Sequence, residues 1–474
     1  MTPGNFKKTI ILITLICTAA ICNGQTTSKS AEESFQQGKK AYLAKDYSAA
    51  LKLFNTAIKD GNYAQAQFYL GVMYDYGRGV KQSYKEAAKY YKRAAAQGEP
   101  RAQYNLASMY ASGDGVEKNA AESLNLYMLS AKQGYANAQY NLGVIYERGL
   151  GATADITKSI EWYKQAAKQG HINAQHNLGV IFRVGKLVKH DYGEALKWFS
   201  MAARQGDAQS QNSLAIMYER GSGVDADIEK ALLLYKKAAE KGLDSAQFNL
   251  GVLFYKGVNI KQDYKEAIKW FLLSAKQGNP DAENYMGVIY DKGLGVKQSY
   301  AEALKWYRLS ATHGGINAQN NLGDMFFQGR GVERDFGKAA KWYQLSASNG
   351  DSWGQNRLGI LYQNGKGVDQ DYKKAVKLYT LAARQGLSNA QLNLGYMYDV
   401  GYGVEQDYKE AAAWYELSAN QGNADAQYNL GTMYYRGVGV EKNPEKTIDL
   451  WMLAAKQGHK NAIKVLESLK KEGK

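Results

Sequence analysis

The stretch NAQYNLGVIYERGLG, Asn137–Gly151, decides the fold. Leu142 and Tyr146 stand four residues apart on one helical face, and Gly149 supplies the positive φ that a tight helix exit needs. The same text returns as DAENYMGVIYDKGLG at Asp281–Gly295. Aligned on Gly143, a small residue recurs every 36 positions without insertion: Gly71, Ala107, Gly143, Gly179, Ala215, Gly251, Gly287, Gly323, Gly359, Gly395 and Gly431. A period of about 20 to 50 residues signals stacked repeats. It overrides the reading of 474 residues as about three separate domains.

The rest of the period is equally regular. Three residues after the small position the side chain is always aromatic, from Tyr74 through Phe182 to Tyr434. A second ladder (Ser83, Asn119, Asp155, Asp191 and so on to Asn443) consists entirely of good N-cap residues, so a second helix starts there. Six copies place glutamate three residues later (Glu86, Glu122, Glu194, Glu266, Glu302, Glu410), which predicts reciprocal capping boxes, and Pro444 follows its cap at the first helical position. The second helix carries an aromatic pair such as Trp162-Tyr163, then an alanine in every copy (Ala95 to Ala455) that permits close helix approach, and stops at a glycine (Gly98 to Gly458). Each copy is thus two antiparallel helices that bury their apolar faces only by stacking on neighbours. The ends differ: residues 25–62 read as a shorter N-terminal capping unit, 63–458 as eleven repeats of 36 residues, and 459–474 as a C-terminal capping helix.

Lys7 and Lys8, the apolar run Thr9 to Ile21 and the small or polar residues to Gly24 have the layout of a signal peptide, so residues 1–24 predict export to the periplasm or beyond the cell. That run is shorter than the roughly 20 residues a bilayer span requires, and no later segment is long and apolar enough, which predicts no integral membrane span. Lipid anchoring at Cys22 is the minor alternative, disfavoured by Ile21 where a small residue is wanted; peripheral membrane association is likewise not favoured. Both cysteines, Cys17 and Cys22, lie in this leader, so packing and not disulfides must hold the mature chain. The formal charge of +15 raises nucleic acid as a partner. Export argues against it, and Lys132, Lys168, Arg204, Lys276, Arg384 and Lys456 fall in the last turn of second helices, where cations offset the helix dipole.

The pattern A-Q-Y-N-L-G-V-x-Y, G-x-G-V, D-Y-x-x-A-x-x-W-Y, A-A-x-Q-G resembles the Sel-one-like repeat, a relative of the tetratricopeptide repeat with a longer loop between its helices. The resemblance covers about Ala64 to Gly458, while the first unit, with its Lys45-Asp46 turn, is similar to an ordinary tetratricopeptide repeat. It implies an all-α, right-handed α-solenoid of stacked antiparallel helix pairs. It also implies a scaffold or adaptor that holds a protein or peptide along a concave face. Cysteine-rich members for which penicillin-binding or β-lactamase activity has been proposed imply a second reading, an enzyme acting on cell wall or β-lactam; a passive spacer is a third.

The residues favour binding over catalysis. No nucleophile, base and orienting group converge. His171, His176, His190, His313 and His459 fall at scattered registers, and the spacing of His171 and His176 is not that of a helical metal pair, so neither metal nor cofactor is expected. The register before the Leu-Gly pair is different. It reads Tyr69, Asn105, Asn141, Asn177, Ser213, Asn249, Tyr285, Asn321, Arg357, Asn393 and Asn429. Each amide offers donor and acceptor to an extended peptide, and in tetratricopeptide domains this position faces the groove. Asn105, Asn141, Asn177, Asn249, Asn321, Asn393 and Asn429 are therefore candidate partner-binding residues, with Tyr285, Trp353 and Arg357 as candidate anchors where the ladder breaks. A conventional carboxylate clamp is not matched, because the position three further on is mostly apolar, as at Val144, Val180 and Val252. The competing structural role for the asparagines, together with Gln139, Gln175, Gln247, Gln319 and Gln427, is hydrogen bonding between repeats.

Overall fold

The computed structural model describes residues 30–471; the expected signal peptide, with Cys17 and Cys22, lies outside them. The described residues form an all-α solenoid of helix pairs that divides into two compact units, one up to residue 238 and the other from residue 239. In the first unit a short pair, 30–43 and Tyr47–Gly61, precedes regular pairs such as Ala136–Arg148 with Ile156–Lys168 and Ile172–Val184 with Tyr192–Arg204. The second unit repeats this from Asp244–Lys256 with Tyr264–Ala275 to Ala424–Arg436 with Pro444–Lys456, and ends in the helix Lys460–Lys471.

The small residue of the first helix exists because a ring of the second helix lies on it. A Cβ at Gly143 would stand 2.4 Å from Tyr163 Cδ1, and Gly179 and Gly287 meet Phe199 and Tyr307 in the same way. These rings are buried completely or nearly so, with alanines such as Ala166 and Ala167 beside them. Burying each large aromatic contributes roughly 1.5–3 kcal/mol, which makes the ring and its small-residue seat, glycine in most repeats and alanine at Ala107 and Ala215, the main packing unit.

Loop and caps follow the sequence closely. Gly149 (φ 72°) and Gly151 (φ 78°) turn the chain out of the first helix, and where the second of these glycines is replaced, Asn259 takes φ 60° instead. Each N-cap side chain from Ser83 to Asn443 whose cap is described accepts from the backbone N–H two or three residues on, as Asp155 does from Lys158 at 3.0 Å. The predicted reciprocal half of the capping box is absent, for a physical reason. The N-cap N–H is already used, donating to the carbonyl of the aromatic ladder: Ser83 to Tyr74 at 2.9 Å, Asp191 to Phe182 at 3.0 Å, Ser299 to Tyr290 at 2.9 Å. The glutamates turn outward instead, pairing with a lysine one turn on (Glu194–Lys197, 2.9 Å) and accepting from indoles (Trp198 Nε1, 2.8 Å). Of the cations assigned to the last turn, Lys276 lies just past it, as the C-cap of Tyr264–Ala275.

Glutamines tie the stack together. Gln139, 4% exposed, donates to the Ala131 carbonyl of the preceding repeat at 3.1 Å and accepts from Gln169 at 2.7 Å. The same bond joins Gln133 to Gln103, Gln277 to Gln247 and Gln457 to Gln427 at 2.8–2.9 Å. Three helices meet at one buried amide, and each such bond contributes about 1 kcal/mol while its loss leaves a partner unsatisfied.

Candidate functional site

The asparagine register sits half-buried on the first helices, and much of it is engaged between repeats. Asn177 donates to the hydroxyl of Tyr163 in the preceding repeat at 3.1 Å, and Tyr163 donates to Glu147 at 2.6 Å. Asn105, Asn141 and Asn429 bond Tyr91, Tyr127 and Tyr415 in the equivalent way. Burial, followed by the bond to Glu147, holds the Tyr163 phenol well above its ordinary range, so the hydroxyl stays a donor at any physiological pH. Asp75, Glu147 and Glu219 accept from Tyr91, Tyr163 and Tyr235, whereas Phe199 and Phe271 share their repeats with Arg183 and Tyr255 at the acid's position, and Tyr127 with Ala111. The inter-repeat role weighed for this row is thus real along much of it, and Asn249 likewise has a partner.

Three consecutive repeats of the second unit depart from this scheme, one residue earlier on the helix. Elsewhere that register carries Phe68, Tyr104, Tyr140, His176, Phe248, Leu392 and Tyr428, with a further asparagine at Asn212. The ring there rests on the cap residue of the next first helix: Tyr140 stacks on His171 with centroids 4.5 Å apart, and Tyr428 on His459 at 4.6 Å. In the three repeats it is Asn284, Asn320 and Asn356, which are 8%, 6% and 3% exposed. Asn320 donates to Asp351 Oδ1, the cap residue, at 2.8 Å; the cap facing Asn284 is Gly315, which has no side chain. Asn321 and Asn393 donate to Asn284 and Asn356, both at 2.9 Å, in place of a tyrosine hydroxyl.

The missing rings leave a cavity of about 470 Å³ lined by Tyr255, Asn284, Tyr285, Val288, Asn317, Asn320, Asn321, Asp324, Asp351 and Trp353. Three sequence candidates, Tyr285, Asn321 and Trp353, therefore converge on one site. The fourth, Arg357, stands behind them, its guanidinium 4.5 Å from the Trp353 ring centroid and its Nε 3.6 Å from Asp324. Tyr285 is fixed by stacking on Phe271 (4.9 Å) and by the edge of Tyr255 (5.1 Å). Asp324 also accepts from Tyr343. The remaining candidates, Asn105, Asn141, Asn177, Asn249, Asn393 and Asn429, do not line it. Sequence reasoning passed over Asn284, Asn320 and Asp351; the available signal was the run of asparagines interrupting an otherwise largely aromatic register.

A buried acid paired with an exposed imidazole lies one repeat before Asn320. Glu283, 0% exposed, takes the place of the tying glutamine and His313 that of its donor, with Nδ1 and Oε1 2.9 Å apart. Burial raises the Glu283 carboxyl above its usual range despite the opposing pull of His313. A larger groove of about 720 Å³ at the C-terminal end is lined by Ile448, Trp451, Met452, Leu466 and Leu469. It is the unfilled equivalent of the surface on which Trp162 packs against Leu142 and Ile145, and is nearly devoid of polar groups. Among the described residues no cluster of three or more metal-ligating side chains occurs, and no helix is long and apolar enough to cross a membrane.

A helix pair with a glycine-seated ring, repeated through each unit, defines a tetratricopeptide-type α-solenoid scaffold. The chain belongs to the Sel1 repeat family, whose model matches residues 31–62, 64–99 and each successive repeat to 424–459, taking in the shorter first pair as well. It is similar to the crystal structure of c5321, a protective antigen present in uropathogenic Escherichia coli strains and displaying an SLR fold: 34% identity over 95% of this chain and 96% of that one, TM-score 0.74. It is also similar to a Sel1 repeat protein from Oxalobacter formigenes, at 35% identity over 65% of this chain and 90% of that one, TM-score 0.56. No curated protein matches. Proteins of the Sel1 repeat family are repeat scaffolds that mediate protein–protein interaction.

Proposed function

We propose that the protein is an exported adaptor, not an enzyme, which holds an extended segment of a partner protein along the face of its first helices and anchors it in the cavity between Tyr285, Asn320 and Trp353. One observation carries this reading. Three successive repeats carry a buried asparagine where most others carry a partly buried ring, an exchange that weakens packing, and the space so released opens beside three aromatic side chains and two carboxylates. The signal-peptide layout of residues 1–24 supports export to the periplasm or cell exterior. The remaining asparagines, engaged with neighbours such as Tyr163 and Asn356, contribute a regular polar border and not separate sites.

Affinity capture from an envelope extract tests the reading, with the purified protein beside Trp353→Ala and beside Asn141→Ala, each checked for helicity by circular dichroism. A partner retained by the parent and by the Asn141 variant but lost by the Trp353 variant is the expected result. Equal capture by all three places the binding surface elsewhere, and capture of nothing, even with crosslinking in intact cells, removes the adaptor role.

A further inference from the structure

Resting on the reading that this cavity anchors a partner segment, we propose that the group it accepts is a cationic side chain, lysine or arginine. Two of the site's amide donors are already spent inside it: Asn321 Nδ2 on Asn284 Oδ1 at 2.9 Å and Asn320 Nδ2 on Asp351 Oδ1 at 2.8 Å. The buried atom left without a partner is an acceptor. Asn320 is 6% exposed, and its Oδ1 has no hydrogen-bond partner among the described residues. Its orientation is fixed, because flipping the amide would set its oxygen against the Asp351 carboxylate. Asp351 itself accepts from Gly354 N (2.7 Å) and Ser346 Oγ (3.0 Å), yet enters no ion pair among the described residues.

The charge points the same way. Of the two carboxylates at the cavity, Asp324 has the Arg357 guanidinium 3.6 Å away, while Asp351 has no ion pair among the described residues. The walls are rings, Tyr255, Tyr285 and Trp353, whose faces attract a cation. A purely apolar group would bury the Asn320 oxygen without a partner, and an anion would be set against the carboxylates of Asp324 and Asp351. A guanidinium or ammonium brings several donors and the missing positive charge. The protein is basic overall, yet the side chains lining this cavity include two carboxylates and no cation.

The test is titration of the purified protein with the pentapeptide acetyl-Gly-Gly-Arg-Gly-Gly-amide and with its citrulline analogue, which keeps the shape and loses the charge. We expect the arginine peptide to bind and the citrulline peptide to bind about tenfold more weakly. Asn320→Tyr writes into this repeat the Gln-Tyr-Asn-Leu-Gly of residues 139–143 and so should fold; it should lose arginine-peptide binding by about tenfold or more. Asp351→Asn keeps a good cap residue, and should weaken the arginine peptide while leaving the citrulline peptide unchanged. Equal affinity for the two peptides, undiminished binding by Asn320→Tyr, failure of the arginine peptide to bind, or preference for an N-acetylglucosamine oligomer each overturns the proposal. The two readings separate cleanly. A captured partner whose crosslinked segment lacks lysine and arginine removes the cation site and leaves the adaptor, whereas a bound arginine peptide with no captured partner does the reverse.

Discussion

The repeat around Gly143 and the repeat around Gly323 share one register and use it for opposite ends. In the first, Tyr140 stacks on His171, and the buried Tyr163 hydroxyl meets both Asn177 and Glu147. In the second, Asn320 and Asp351 stand at the same two positions, joined by a hydrogen bond but filling less space and leaving an oxygen over. The difference teaches how a repetitive fold acquires a site: not by adding residues, but by withdrawing a ring from a place where the backbone continues to hold everything else still.

The comparison breaks most violently at the ring itself. Tyr163→Ala should destabilise its repeat by about 3–5 kcal/mol, read as accelerated amide exchange over residues 136–168. Tyr163→Phe should cost about 1–2 kcal/mol, because Glu147 and Asn177 lose their partner, and Glu147→Ala added to it should recover part of that loss, since Phe199 and Phe271 live without an acid. Next comes the tie: Gln139→Leu should cost about 1–3 kcal/mol, seen as a lowered thermal midpoint. The sign then reverses at the site. Asn320→Tyr should stabilise the Ile316–Gln328 region by about 1 kcal/mol, with slower exchange there, while the same tyrosine at Asn177, already engaged, should destabilise.

The smallest effect depends on pH. Burial raises the Glu283 carboxyl in the folded protein above its value in the unfolded chain. The native state therefore binds the proton more tightly, and the associated stability is complete below the unfolded value near 4.5 and is lost as pH rises through the raised folded value. Glu283→Gln, which writes the tying glutamine back in, should abolish that decline. At neutral pH it should be the more stable protein by about 1 kcal/mol or less, and near pH 4 the two should match.

Much of this was legible in the sequence because it repeats. The cap ladder from Ser83 to Asn443, the glycine exits and the helix pairs follow from a single period; Asn321 was marked by its place in the asparagine register, and Tyr285 and Trp353 stood out where that register broke. The capping boxes were misjudged because a sequence shows that glutamate sits three residues past the cap, and not that the cap N–H has gone to Tyr74 or Phe182. The cavity was illegible for a related reason. It is a volume left by what Asn284, Asn320 and Gly315 lack, and the residues bordering it, from Tyr255 to Trp353, belong to four successive repeats, so no local pattern announces it.

The tying glutamines bear on how such a chain changes length. Gln139 reaches only the preceding repeat and its own second helix, and the next glutamine does the same 36 residues on. Removing one whole period from the uniform stretch would bring together two surfaces that already fit, so recombination between like segments of the gene can lengthen or shorten the protein in whole steps with little penalty to folding. That freedom ends between Tyr255 and Trp353, where Asn321 reaches back to Asn284 and Asn320 forward to Asp351. Those repeats can be copied or lost only as a block, which makes them the fixed point from which the rest of the array is measured.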